Sequence, residues 1–112
     1  METKEQIKYE DFAKLDFRVG VIKEVSDIDG ADYLYKIIVN IGEDIQILSG
    51  IKESFTKEEL VGKQIVVLVN LEPRKMMGET SEGMLFDIGY PDKITPVLAV
   101  PEKPVPNGAR TG

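Results

Sequence analysis

The stretch Ile65-Val66-Val67-Leu68-Val69 is a nearly continuous β-branched run, and it constrains the fold more than any other segment. Such side chains crowd the preceding turn of a helix but fit a pleated surface. An apolar run without alternation belongs to a strand buried on both faces or set in a closed barrel. A strand is therefore expected over Gln64–Leu71. Directly after it comes Asn70–Met84, Asn-Leu-Glu-Pro-Arg-Lys-Met-Met-Gly-Glu-Thr-Ser-Glu-Gly-Met. Pro73 and Gly78 punctuate the backbone, so this is a connection between strands and not a buried element. It sets a cationic pair, hydrogen-bonding groups and flexible apolar side chains side by side, which suits a ligand surface on a loop.

The other segments organise around that strand. Residues 1–8 are polar and of mixed charge. Tyr9–Leu15 places Phe12 and Leu15 three apart, with Glu10 and Asp11 early and Lys14 late, which suits one or two helical turns. Phe17–Val25 reads as a strand with Phe17, Val19, Val21 and Val25 on one face, and with Gly20 as a bulge or tight bend. Ser26–Asp32 is a loop. Leu34–Ile41 and Ile45–Leu48 form a hairpin broken at Gly42-Glu43, and Ser49-Gly50 is a second break. Thr56-Lys57-Glu58-Glu59 is a capping box, flanked by Phe55 and Leu60 as a hydrophobic staple, so a short helix starts at Thr56 and stops near Gly62. Met84–Ile88 is a fifth strand. From Gly89 onward five prolines leave only Val97–Val100 as strand.

Strand, strand, strand, short helix, strand, strand is the order of the OB-fold, a five-stranded Greek-key barrel. The expected class is all-β with short helices: one domain over 1–112, with an N-terminal extension and short helix over 1–16, the barrel over 17–90 and a Pro-rich C-terminal extension over 91–112. Binding on that fold uses the face of strands two and three with the first and fourth loops. The fourth loop is Asn70–Gly83.

Composition removes much chemistry. The 112 residues contain neither Cys nor His. That excludes a disulfide framework, a thiolate nucleophile and the usual general base and metal ligand near neutral pH. No Asp-rich loop has calcium-site spacing. Ser49-Gly50-Ile51-Lys52 spells a Ser-x-x-Lys pattern without its partner motifs, and Ser81 lies outside a nucleophile elbow. Gly62-Lys63 lacks the preceding glycine of a phosphate loop. No catalytic residue, metal site or cofactor is expected. No stretch is long and apolar enough to span a membrane, and Met1–Glu5 is unlike a secretory signal, so the expected location is the cytoplasm.

The formal net charge of −6 opposes an anionic partner unless positive charge is segregated on one face. Arg74 and Lys75 can meet phosphate, the first as a bidentate fork and the second as a point charge. Within Asn70–Met84 they face three acids, Glu72, Glu79 and Glu82. An anionic ligand requires these turned away or engaged internally, for example by Glu82 accepting from backbone amides in the loop. Tyr33 and Tyr35, two apart at the start of strand two, point the same way. They are placed either to stack on bases or to cover the barrel rim. Met76, Met77 and Met84 read as barrel-end packing rather than ligand contacts.

Asp11-Phe12-x-Lys14-Leu15-Asp16-x-Arg18-Val19-Gly20, Ala31-Asp32-x-Leu34-Tyr35, Ser49-Gly50-Ile51, Glu59-Leu60-x-Gly62-Lys63 and Asn70-Leu71-x-Pro73-Arg74-Lys75-Met76-x-Gly78-x-x-Ser81-x-Gly83-Met84 occur in that order. With Pro104-Val105-Pro106-Asn107-Gly108 near the end, the chain resembles the tRNA-binding domain family over nearly its whole length. That family includes the C-terminal domain of methionyl-tRNA synthetases, its detached beta-subunit form and free-standing tRNA-binding proteins. The resemblance implies a homodimer formed through both extensions. It also implies recognition of tRNA by shape near the elbow, without sequence preference, as an accessory module in trans to a methionyl-tRNA synthetase catalytic subunit. Asn70, Arg74, Lys75, Ser81 and Met84 match the positions of the family's RNA-contacting loop. Five positions depart. Ile28 and Asp29 stand where the family commonly has His-Pro, Tyr33 where it has Lys, and Glu72 and Met77 where a base is common. Each change removes positive charge or a polar contact. A secretion-chaperone branch with the same fold and the same Pro-Val-Pro-Asn-Gly ending binds unfolded peptide segments. Ser81-Glu82-Gly83-Met84 resembles the synthetase form instead.

Overall fold

The computed structural model describes residues 1–112. In chain order its elements are α1 (Tyr9–Ala13), β1 (Phe17–Asp27), β2 (Tyr35–Asn40), β3 (Asp44–Ser49), α2 (Lys57–Leu60), β4 (Gln64–Leu68), β5 (Arg74–Met76), β6 (Glu79–Ser81), β7 (Met84–Leu85), β8 (Asp87–Ile88) and β9 (Val97–Leu98). Five strands form one antiparallel sheet in the order β3-β2-β1-β4-β7. It curls so that β3 lies against β6 and β7, giving the OB-like half-barrel that the element order implies.

β1 is shared between neighbours. Phe17–Val21 pairs with β4, and Val21–Asp27 pairs with β2. Where it changes partner the register slips between Ile22 and Glu24, leaving Lys23 as an extra residue. Such a bulge adds local twist, which is what the curl requires. The sequence reading put the bend at Gly20; the bulge lies three residues later. Gly20 answers a different need, because a Cβ there would stand 2.6 Å from Val39 Cγ1 and 2.8 Å from the Asn40 carbonyl oxygen. Val19 and Ile22 both precede the bulge and lie on opposite faces: Ile22 joins the core, whereas Val19 is buried where Gly108 and Ala109 bond to its backbone.

The core follows the period-two pattern of its strands. Tyr35, Ile37 and Val39 of β2, Ile45 and Ile47 of β3, and Ile65 and Val67 of β4 point inward, joined by Ile22, Ile51, Leu60 and Leu85. Of the two environments open to the apolar run, the structure selects the curled sheet. β4 stops at Leu68, and Val66 on its outer face is half-buried, its N–H donating to the Ala99 carbonyl at 3.1 Å. α2 starts as its capping box requires. The Glu59 N–H donates to Thr56 Oγ1 at 3.2 Å, and the Thr56 N–H donates to the Glu59 carboxylate at 2.9 Å. Leu60 is fully buried, with Phe55 packed on the same cluster.

The C-terminal extension finishes edges that short strands leave open. β9 pairs with β8, so the fifth strand expected over 84–88 is divided at Phe86 into β7, which pairs with β4, and β8, which does not. Farther on, Gly108 and Ala109 bond to Val19, and Arg110 bridges to Arg18. Covering an edge in this way removes a template for aggregation.

Ion pairs decorate the surface. The Lys57 ammonium, followed by Lys52, holds the Asp27 carboxyl below the usual carboxylate range. Arg18 does the same for Asp16, and Lys23 with Asn40 for Asp44. A carboxyl whose folded pKa lies below its unfolded value contributes stability above the unfolded value, and loses it as pH falls through the folded one. Each pair is at least partly exposed and weak alone. With no His to titrate, the thermal midpoint is expected to stay level from about pH 5 to pH 8 and to fall below about pH 4. Differential scanning calorimetry across that range checks it.

Candidate nucleic-acid interface

The connection after β4 is not an open loop. Arg74–Met76 and Glu79–Ser81 form a two-stranded hairpin whose register is Arg74↔Ser81, Lys75↔Thr80 and Met76↔Glu79. Its turn is Met77-Gly78, with φ of 51° and 79°. Two positive φ values match the twist of a tight hairpin, a turn that normally selects Asn-Gly or Asp-Gly. Met77 at the first place hides this signal from the sequence, and Gly78 alone marks it.

The hairpin is fixed to the barrel mainly through side chains. β3 and β6–β7 face each other across the open seam of the sheet. The Leu48 N–H donates to Ser81 Oγ at 3.0 Å, and that hydroxyl donates to the Gly83 carbonyl at 3.1 Å. The Gln46 N–H donates to the Glu82 carboxylate at 3.0 Å, while the Glu82 N–H returns to the Gln46 carbonyl at 2.8 Å. The Gln46 amide nitrogen adds a bond to the Thr80 carbonyl at 2.9 Å. Glu79 accepts from both Gln46 and Lys36. The anchoring amide for Glu82 is therefore in β3, not within the loop.

These bonds change the electrostatics. Glu79 and Glu82 are both engaged, leaving Glu72 as the loop's one acid without a side-chain hydrogen bond or ion pair. Arg74 and Lys75 are exposed and make no ion pair. Adjacent residues of a strand face opposite ways, so they present charge on both faces of the hairpin. Met77 sits at the tip, its methyl group 3.4 Å from where a Cβ on Gly30 would lie, so hairpin and first loop meet there.

The remaining candidates are placed differently. Asn70 turns toward the N-terminal extension: its Oδ1 accepts from the Asp16 N–H at 2.9 Å and its Nδ2 donates to the Lys14 carbonyl at 2.6 Å. Ser81 is buried, and its hydroxyl is used in the seam. Met84 is half-exposed at the rim. Tyr33 and Tyr35 do not share a face. Tyr35 opens β2 and is 5% exposed, with its hydroxyl donating to the Phe55 carbonyl at 2.8 Å. Tyr33 lies in the bend before β2, where strand alternation does not apply, and is 60% exposed. Of the two, only Tyr33 presents its ring to solvent. Sequence reasoning missed Gln46 and Lys36, which no motif marks because their role depends on a seam between distant segments.

Replacing Ser81 by Ala leaves the buried Leu48 N–H without its acceptor. A loss of about 1–3 kcal/mol of unfolding free energy is expected by urea denaturation.

Residues 17–110 match the family model described as "Putative tRNA binding domain". The chain belongs to that tRNA-binding domain family. The match begins with the first residue of β1 and ends at the Arg110 bridged to Arg18, so it covers the barrel with its C-terminal closure and leaves α1 outside. The domain is 47% identical over 111 residues to a methionine–tRNA ligase of Archaeoglobus fulgidus, covering 98% of this chain and 17% of that protein. A methionine–tRNA ligase of Oceanobacillus iheyensis is 43% identical, with 96% and 16% covered. The domain thus corresponds to a small part of these ligases. Among solved structures it superposes on a MetRS related protein of Pyrococcus horikoshii with TM-score 0.89 and 34% identity, covering 97% of this chain and 100% of that one. The chaperone CsaA of Bacillus anthracis gives TM-score 0.85 and 27% identity, covering 96% and 100%. No helix of the domain is long and apolar enough to cross a membrane.

Proposed function

We propose that the domain binds tRNA through the β5–β6 hairpin, recognising overall shape at the elbow without sequence preference. It acts as an accessory module in the cytoplasm, in trans to a methionyl-tRNA synthetase catalytic subunit. The observation that carries this reading is the pair of unpartnered cations, Arg74 and Lys75, on a hairpin whose neighbouring acids Glu79 and Glu82 are engaged elsewhere. Asn70 and Ser81 serve by holding the ends of the segment, and Met84 by shaping its rim. Tethering tRNA near a partner enzyme raises local concentration and gains apparent affinity without new catalytic contacts.

Dimerisation belongs to the same reading. α1 has no buried residue, and Ile7, Tyr9, Phe12 and Leu15 are all exposed. Ring contacts from Phe12 to Phe17 and from Phe17 to Phe86 attach this apolar element to the barrel. A second copy covering both extensions would bury it.

A gel shift with bulk tRNA at low salt tests the proposal. Several tRNA species are expected to compete equally, and an unstructured RNA of the same length weakly; no retarded species at low salt would overturn it. The likeness to CsaA favours a second reading, a dimer binding unfolded peptide segments. Suppression of client aggregation that added tRNA does not relieve would select that one.

A further inference from the structure

Beside the hairpin, where the end of β3 faces β7 and β8, lies a cleft of about 670 Å³, a size suited to one small ligand and not to a helix. Tyr33 lines it from the bend before β2, and Tyr90 from the turn after β8. The rings are 60% and 68% exposed, and neither packs against another aromatic ring. Met76 and Met84 supply adaptable apolar walls. The charged lining is Arg74 together with three carboxylates, Glu53, Glu72 and Asp87, none of which has an ion pair or side-chain hydrogen bond.

That lining selects among the parts of an RNA. A phosphate inside would meet three anions and one cation. A nucleobase is neutral, has two π faces for the tyrosines, and carries amino or imino hydrogens that carboxylates accept. We infer that the cleft receives one unstacked nucleobase of the bound RNA, stacked on the free tyrosine rings, with its phosphate kept at the mouth by Arg74. The inference rests on the tRNA reading and assigns to the same site a second, uncharged component of binding. It also gives a use to Tyr33, which stands where the family commonly has Lys.

Fluorescence anisotropy with labelled bulk tRNA tests it on the full chain, comparing wild type with Tyr33→Ala, Tyr90→Ala, their combination and Tyr33→Phe. Loss of a stack is expected to weaken binding about tenfold or more, with the salt slope unchanged and with recovery in the Phe variant. Thermal midpoints of the variants should match wild type, because both rings are exposed. If wild type binds and all Ala variants bind equally well, the cleft inference is overturned and the hairpin reading stands. If wild type does not bind, both fall. If the Ala variants instead lose a labelled unfolded peptide while keeping tRNA, the cleft belongs to peptide and the inference is overturned.

Discussion

Replacing Gly20 by Ala is expected to cost about 3 kcal/mol and to lower the thermal midpoint by on the order of 10 °C. The new methyl group would lie 2.8 Å from the Asn40 carbonyl oxygen, a backbone atom held in the β1–β2 ladder, as well as 2.6 Å from Val39 Cγ1. Rotamer changes relieve the second contact but not the first. β1 must then move away from β2 beside the bulge that lets it serve two neighbours. Gly50→Ala is the matched control, since nothing lies within 4 Å of its Cβ position and its φ is not positive. That variant is expected to be neutral or more stable by about 0.5 kcal/mol through the unfolded chain. Guanidinium denaturation of both reads the difference directly.

The double substitution Arg74→Ala with Lys75→Ala is expected to weaken tRNA binding by about 10- to 100-fold at low salt, each lost charged contact contributing of the order of 1 kcal/mol. Both side chains are exposed and unpaired, so thermal stability should not change. Removing two phosphate contacts should also lower the slope of log K against log salt by about 2. The remaining slope is expected to be shallow, because the chain carries a net charge of −6 and Glu72 stays unpaired beside the hairpin. Lys36→Ala offers a comparison: it frees Glu79 beside the hairpin and should weaken binding through the field of an unpaired acid.

The fold was largely legible because its signals are local. The β-branched run of β4, the alternation of β2, and the Thr56–Glu59 box each state one element, and their order restricts the topology. Legibility failed where a residue's role depends on a distant segment. Gly20 reads as a bend, yet it is fixed by Val39 and Asn40, twenty residues away. Tyr35 reads as a partner of Tyr33, but β2 begins between them and turns one inward. The hairpin at Arg74–Ser81 was hidden because Met77 occupies a position that Asn or Gly usually marks. Charge counting was misleading for a related reason. Three acids against two bases makes the loop acidic on paper, whereas Gln46 and Lys36, both from other strands, engage two of those acids. Arg74 and Lys75 could be named from the sequence; the seam that presents them could not.

The most direct test of the central claim is a map of backbone amide chemical shifts as bulk tRNA is titrated into the protein at low salt. The hairpin account predicts that Arg74–Ser81 and the neighbouring bend at Tyr33 shift first and most, with α2 and its Asp27 ion pairs unaffected. Large shifts confined to α2 or to the C-terminal extension, with Arg74–Ser81 silent, would contradict it.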